Sequence, residues 1–384
     1  MNEIHADMTA SYVAALRALK ADGRLRALKP RGGVDFVSND YLALASAPRM
    51  RKAVASALAA GTPIGSGGSR LLRGNCEEHE KLEAEAARFF GAETALFFGG
   101  GYVANFALLT TLPQRGDLIV VDSLVHASIH EGVRAGRAAF CESLHNDPQS
   151  IADKIRDWRT EGGTGRVWIV VESIYSMDGD FAPLKELVAI ADSYDAFLIV
   201  DEAHATGVFG EQGRGLTAPF EGRENLIVIH TCGKALGAVG AIVMLPRVLR
   251  DFMVNRCRPL IFATAPSPLM AVAVQEGLSI LQQEPDRQQR LAGLVAFTHR
   301  ELATRGARSP SHSQIVPYIV GDNARAMALA HAMQTRGFDI RGIRPPTVPP
   351  GTARLRISLT LNVGEDDVRA MLDALFEEAE AMSQ

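Results

Sequence analysis

LIVIHTCGKALGAVGA, residues 226–241, reads as a buried strand running into a turn of small residues, with Lys234 as its only charge. An apolar, β-branched run of this kind suits a parallel strand covered on both faces. The turn then sets Lys234 at the strand's carboxyl end, where open α/β sheets bind ligands. A lone ammonium among apolar residues is costly to bury, and desolvation lowers its pKa and suits it to Schiff-base chemistry. The plainer alternative is a lysine whose stem lies on the surface while its head reaches water. The rest of the chain distinguishes the two.

Working outward, similar apolar runs stand at 94–98, 118–122, 167–172 and 197–200, separated by helical patterns at 77–90, 102–111, from about Ser128, and 183–193. Such alternation predicts an α/β fold with a mostly parallel sheet and helices on both faces. Gly240 to Leu245 is expected to run antiparallel, because the connection from Lys234 is too short for a crossover. Helices are expected at 47–60, 267–282 and 286–305. Strands at 315–320, 338–343 and 354–359, with helices at 323–336 and from 364, read as a small α+β domain whose RPPTVPPG loop, 344–351, is stiff. At the other end, Tyr12, Val13, Leu16, Leu19, Leu25 and Leu28 predict an amphipathic helix over 8–28, followed by a short strand at 34–37.

The chain has 384 residues, 47% of them apolar, and a formal charge of −4. That length accommodates two domains with their own cores. The charge and the lack of basic runs argue against nucleic acid or an anionic membrane as the main partner. Cys76, Cys141, Cys232 and Cys257 show no metal-ligand spacing, so reduced thiols and no metal are expected. No leader pattern or long uncharged apolar run is evident, and a cytoplasmic location is expected.

Polar residues recur where strands end. His126 follows LIVVDSLV, Ser176 follows WIVVESIYS, Asp201 ends FLIVD, and Lys234 follows LIVIHTCG. Each has an ordinary reading as a cap or turn residue. The strand at 94–98 runs through Gly99-Gly100-Gly101 into a helix, which forms a cradle for an anion. A second glycine-rich stretch, GTPIGSGGSRLLRGN at 61–75, is too flexible for regular structure. Together these features meet the needs of a pyridoxal phosphate enzyme: a lysine for the cofactor, a carboxylate for the pyridine nitrogen, a planar group against the ring, donors for the phenolic oxygen and a phosphate cradle.

The segments SLVHAS (123–128), ESIYSMDGD (172–180), VDEAHATGVFGEQGRG (200–215), HTCGKALG (230–237) and IRPPTVPPGTARLRISLT (343–360) resemble the α-oxoamine synthases, fold-type I pyridoxal phosphate enzymes that condense an amino acid with an acyl thioester and release carbon dioxide. The resemblance runs from about residue 35 to the end. It implies an aspartate aminotransferase-like fold, Lys234 as the cofactor lysine, Asp201 as the pyridinium partner and His126 stacked on the ring. It also implies Ser176 and His204 on the phenolic oxygen, Gly100, Gly101, Tyr102 and Thr231 at the phosphate, and Thr264 reaching that phosphate from the second copy of a homodimer. Arg356 matches the arginine for the amino-acid carboxylate, with Arg26, Asn39 and Thr347 as further substrate-binding positions. Arg24 competes with Arg26 for its role. Arg73 and Asn75 depart from the small or hydroxyl residues common in the glycine-rich loop. The stretch 343–360 is most similar to the branch that joins a pimeloyl thioester, carried by CoA or an acyl-carrier protein, to L-alanine. Glycine-using synthases share the chemistry, and a pyridoxal phosphate-binding regulator would need a further DNA-binding domain. The expected division is an N-terminal helix and short strand at 1–45 packing with the small domain, a large cofactor-binding domain at 46–285 and a small domain at 286–384.

Overall fold

The computed structural model describes residues 2–28 and 30–382; the expected terminal segments also include Met1, Lys29, Ser383 and Gln384, which lie outside the described residues. In chain order the elements are α1 (Asn2–Ala21), β1 (Val34–Asp35), α2 (Pro48–Ala59), α3 (Glu77–Phe90), β2 (Thr94–Phe98), α4 (Gly101–Thr111), β3 (Leu118–Asp122), α5 (Ala127–Ala135), β4 (Ala139–Ser143), α6 (Pro148–Thr160), β5 (Val167–Glu172), α7 (Leu184–Ser193), β6 (Phe197–Asp201), β7 (Leu226–Thr231) and β8 (Ala241–Leu245). They continue with α8 (Arg247–Arg256), α9 (Arg258–Ile261), α10 (Pro268–Gln283), α11 (Asp286–Thr304), β9 (Ile315–Gly321), α12 (Asn323–Thr335), β10 (Phe338–Asp339), β11 (Arg341–Ile343), β12 (Ala353–Ser358) and α13 (Glu365–Ala381).

Two compact units result. The larger comprises Ser38–Pro317 and Ile357–Arg369; the smaller comprises Met1–Val37, Tyr318–Arg356 and Ala370–Gln384. This differs from the contiguous division expected from the sequence. Helix α11 belongs to the larger unit, and the chain passes between the units inside β9 and β12.

In the larger unit a seven-stranded sheet has the order β2-β8-β7-β6-β5-β3-β4. Strands β7, β6, β5, β3 and β4 run parallel, and β8 is antiparallel to both β2 and β7, as its short connection requires. Ile119, Val120, Ile169, Val170, Ile199, Val200, Ile227 and Val228 are each at most 1% exposed. Burying each such side chain contributes about 1.5–3 kcal/mol, so the middle of the sheet is the natural place for the core. A charge there, as in Val200→Asp, would break it. Parallel strands bring Asp122, Glu172, Asp201 and Thr231, the last residues of β3, β5, β6 and β7, to one edge.

Strand β4 and helix α6 fill the stretch between α5 and β5, where the sequence pattern predicted nothing. Strand β4 is an edge strand with Ala139, Phe140 and Glu142 exposed, so it lacks the continuous apolar run of its neighbours. Helix α6 is capped by Asp147, which accepts the Ser150 N–H at 3.0 Å.

In the smaller unit β1 pairs in parallel with β10, Val34 facing Phe338. Helix α1 stops at Ala21, earlier than expected, and Gly23 turns the chain away with φ of 63°. Its apolar stripe of Tyr12, Val13 and Leu16 is exposed in the single chain. The three-stranded sheet has the order β11-β12-β9, and β12 is buried along its whole length. Arg354 and Arg356 share one face, and both are buried, only 3% and 7% exposed. A central strand covered on both sides hides both of its faces.

Candidate active site

The cradle comes first along the chain. Strand β2 runs through Gly99 and Gly100 into the first turn of α4, and Gly100 offers no side-chain cap to the helix. A Cβ on Gly101 would stand 2.7 Å from Thr231 Oγ1, whereas Gly99 and Gly100 face open space. Uncapped N–H groups at a helix start, beside a threonine hydroxyl, suit a tetrahedral anion. Tyr102 stands half-exposed at the rim, its ring edge-on to that of His126.

Lys234 sits in the turn between β7 and β8. That turn is closed by Gly237 N–H to Lys234 O at 2.9 Å and Ala238 N–H to Cys232 O at 3.0 Å. Gly237 has φ of 63°, and a Cβ there would stand 2.5 Å from Ala45 N, so only glycine fits. The lysine is half-buried and its Nζ lies 2.7 Å from His204 Nε2. His204 Nδ1 in turn lies 2.6 Å from Tyr41 Oη, which is 3.0 Å from Asn39 Oδ1. One assignment satisfies all three links. Lys234 donates to Nε2, Nδ1–H donates to the tyrosine oxygen, and the tyrosine hydroxyl donates to Asn39. Gln314 adds a bond from its amide to His204 O at 2.8 Å.

Asp201 ends β6 with both oxygens engaged. Oδ1 accepts the Ala203 N–H at 2.9 Å and Oδ2 accepts the Asn105 side-chain N–H at 2.7 Å. Asn105 also donates to Ser128 Oγ at 3.0 Å. His126 caps α5, and its Nδ1 accepts the Ser128 N–H at 3.2 Å with Ser128 Oγ at 2.8 Å. An Nδ1 that accepts is unprotonated. In agreement, lost hydration lowers the His126 pKa, an effect that Asp201 opposes and Lys234 reinforces. On the adjacent strand Glu172 pairs in register with Asp201. Burial first, then the charge of Asp201, pushes its carboxyl well above the ordinary range.

The turn before His126 and the hairpin carrying Ser176 are tied together by His145. Its Nδ1 lies 2.9 Å from Asp122 Oδ1 and its Nε2 2.7 Å from Asp180 Oδ2. Burial alone would lower the His145 pKa, but the two carboxylates raise it to about 10, so it is an imidazolium at neutral pH. Ser176 lies half-buried at the tip of that hairpin, which is closed by the Ile174–Phe181 bridge.

Of the residues expected at the site, Lys234, His204, Asp201, His126, Ser176, Thr231, Gly100, Gly101, Tyr102 and Asn39 all belong to the larger unit, as does Thr264. Thr264 is exposed, next to Ala265, whose N–H bonds Gly68 O at 2.9 Å. Arg26 and Thr347 are exposed and, with the buried Arg356, belong to the smaller unit. Asn75 bonds Arg70 and Glu80, in a network where Arg70 also grips Glu83, which gives Asn75 a structural task in the glycine-rich loop. Sequence reasoning missed Tyr41, Asn105, Ser128 and Glu172. The available signals were a polar Asn105 inside the apolar run of α4 and an acid closing WIVVE in step with FLIVD.

The donor set fits a phosphorylated pyridine aldehyde. An open glycine cradle, an amine beside an imidazole, and a buried carboxylate held by N–H donors occupy one sheet edge. The aminotransferase class I and II family matches residues 31–375. A putative 8-amino-7-oxononanoate synthase from Geobacillus kaustophilus is 40% identical over 363 residues, covering 94% of this chain and 92% of that one. A serine palmitoyltransferase variant from S. paucimobilis with a bound PLP–myriocin aldimine superposes with TM-score 0.89 at 26% identity, covering 98% of this chain and 99% of that one. An 8-amino-7-oxononanoate synthase from Francisella tularensis superposes with TM-score 0.78 at 27% identity, covering 92% and 99%.

Proposed function

Because the chain belongs to the α-oxoamine synthases of the class I and II aminotransferase family, we propose that it joins L-alanine to a pimeloyl thioester, giving 8-amino-7-oxononanoate, carbon dioxide and the free thiol. It is an acyltransferase of the biotin pathway, and its cofactor is pyridoxal 5′-phosphate. Bound there, the cofactor supplies an electron sink that makes the amino acid's Cα proton acidic.

The observation that carries this reading is the Lys234 ammonium, 2.7 Å from the buried His204, on the sheet edge that also holds Asp201. Lys234 holds the cofactor and, once displaced by the amino acid, takes and returns the proton at Cα. Asp201 offers its carboxylate to the ring nitrogen, His126 presents its imidazole to the ring face, and Ser176 and His204 hold the phenolic oxygen. Gly100, Gly101, Tyr102 and Thr231 bind the phosphate through N–H and hydroxyl donors, joined by Thr264 of the second copy in a homodimer. Arg356 grips the alanine carboxylate with its guanidinium fork until that carboxylate leaves as carbon dioxide. Arg26, Asn39 and Thr347 serve the substrates, and we assign the dimer to the cytoplasm. Among the described residues no helix is long and apolar enough to cross a membrane.

Likeness to a serine palmitoyltransferase favours a second reading, in which another amino acid is acylated. A thiol-release assay of the purified holoenzyme against pimeloyl, acetyl, succinyl and palmitoyl thioesters, each with alanine, glycine or serine, separates the two. Pimeloyl with alanine should give the highest kcat/KM. Preference for serine with a long chain, or for glycine, would overturn the proposal.

A further inference from the structure

We infer that Asn105 is a positioning residue for Asp201: its side-chain amide sets where the carboxylate points and which member of the Asp201–Glu172 pair is charged. The inference rests on the proposed task of Asp201 at the ring nitrogen. Asn105 is 2% exposed, among the buried Ala104, Ala107, Leu108 and Leu109 of the same helix. It spends both amide hydrogens, one on Asp201 Oδ2 at 2.7 Å and one on Ser128 Oγ at 3.0 Å. A flipped amide would set its oxygen against a carboxylate, so the orientation is fixed. Its Oδ1 is buried without a hydrogen-bond partner among the described residues. Stability alone does not explain an orphaned carbonyl where leucine would pack, whereas a donor aimed at Asp201 does.

Glu172 makes that donor decisive. It faces Asp201 across β5 and β6, and two adjoining carboxyls do not both ionise readily. Asp201 collects N–H bonds on both oxygens, while Glu172 Oε1 is buried with none. Other charged or titratable groups acting on the pair are His126 from the start of α5, Lys234 from the β7–β8 turn, Asp122 from β3 and Tyr175 from the segment after β5. Through Ser128 the same amide also steadies His126, whose Nδ1 lies 2.8 Å from Ser128 Oγ.

The test is a double-mutant cycle of Asn105→Leu and Asp201→Asn in the holoenzyme. It is read by the pH titration of the bound cofactor's visible absorbance and by exchange of alanine's Cα proton in deuterated water. Asn105→Leu should fold and bind cofactor, move the absorbance midpoint by at least about 0.5 pH unit and slow exchange ~10- to 100-fold, the range a hydrogen bond to a charged group commands. Added to Asp201→Asn, it should change exchange by less than about twofold, because it acts through a carboxylate already gone. Asn105→Thr, which keeps a donor, should recover part of the loss and stands in if the leucine variant fails to fold. Wild-type exchange in Asn105→Leu, or losses that multiply in the double variant, would overturn the inference. If Asp201→Asn itself exchanges at the wild-type rate, the reading of Asp201 fails first.

Discussion

Removing the Tyr41 hydroxyl disturbs the cofactor lysine from two residues away. Tyr41→Phe keeps the ring, which is fully buried, so packing is preserved and only the oxygen is lost. That oxygen is the partner of His204 Nδ1 at 2.6 Å and of Asn39 Oδ1 at 3.0 Å. Asn39 is half-buried and water can replace its bond. His204 is 3% exposed and has no such recourse. An unsatisfied buried donor costs about 1–3 kcal/mol, or roughly 5- to 150-fold against the arrangement in which Nε2 faces Lys234 as an acceptor. In the free enzyme Nε2 accepts from Lys234 while Nδ1–H needs the tyrosine oxygen, and with Nε2–H turned to donate to the cofactor's phenolic oxygen Nδ1 needs the tyrosine hydroxyl, so in either tautomer the ring loses a buried partner. Absorbance titration of the apoprotein with pyridoxal phosphate should show affinity falling within that range, with alanine-dependent thiol release falling at least as much and the circular dichroism unchanged. Cofactor affinity and turnover within twofold of wild type would refute the claim that Tyr41 holds His204.

Three further outcomes are expected. Gly101→Ala places a methyl 2.7 Å from Thr231 Oγ1, an overpacking of about 1–3 kcal/mol that displaces the threonine, so cofactor dissociation by dialysis should quicken roughly tenfold or more and the apoprotein's melting temperature should fall by about a few degrees. Arg356→Lys keeps the charge but loses the fork, and should raise the alanine concentration for half-saturation at least ~10-fold; Arg354→Lys, which breaks the bond to Thr352 O at 2.9 Å, should lower stability instead. Equal effects of the two on alanine saturation would count against Arg356 as the anchor. His145, with its pKa raised to about 10 and its side chain 24% exposed, contributes on the order of 3 kcal/mol after discounting for solvent. Because the folded value lies above the unfolded one, that contribution is complete below about pH 6.5 and is lost as pH rises through 10. The urea midpoints of wild type and His145→Gln should therefore differ at pH 6 and converge at high pH, and a constant gap would show that the imidazolium is not the source.

The strands of the large sheet were legible because each is covered on both faces and therefore apolar without interruption. Strand β4 was not, since an edge strand with Phe140 exposed carries no such run. Lys234 and Asp201 stand out in sequence because each is a charge that closes an apolar stretch. Their partners are harder to find: Glu172 becomes a neighbour of Asp201 only through the β5–β6 register, and Asn105 reaches it from a helix 96 positions away. The chain contacts that orient a charge are set by packing, not by spacing along one element. Alternation along a strand puts Arg354 and Arg356 on one face of β12, but it says nothing about whether a further layer covers that face.

The most direct test of the central claim is to trap the cofactor on its lysine. Holoenzyme reduced with borohydride, digested and mapped by mass spectrometry should carry the pyridoxyl group on the peptide containing Lys234, and Lys234→Ala should carry none and release no thiol from pimeloyl thioester with alanine. A pyridoxyl group on any other lysine, or turnover retained in Lys234→Ala, would contradict it.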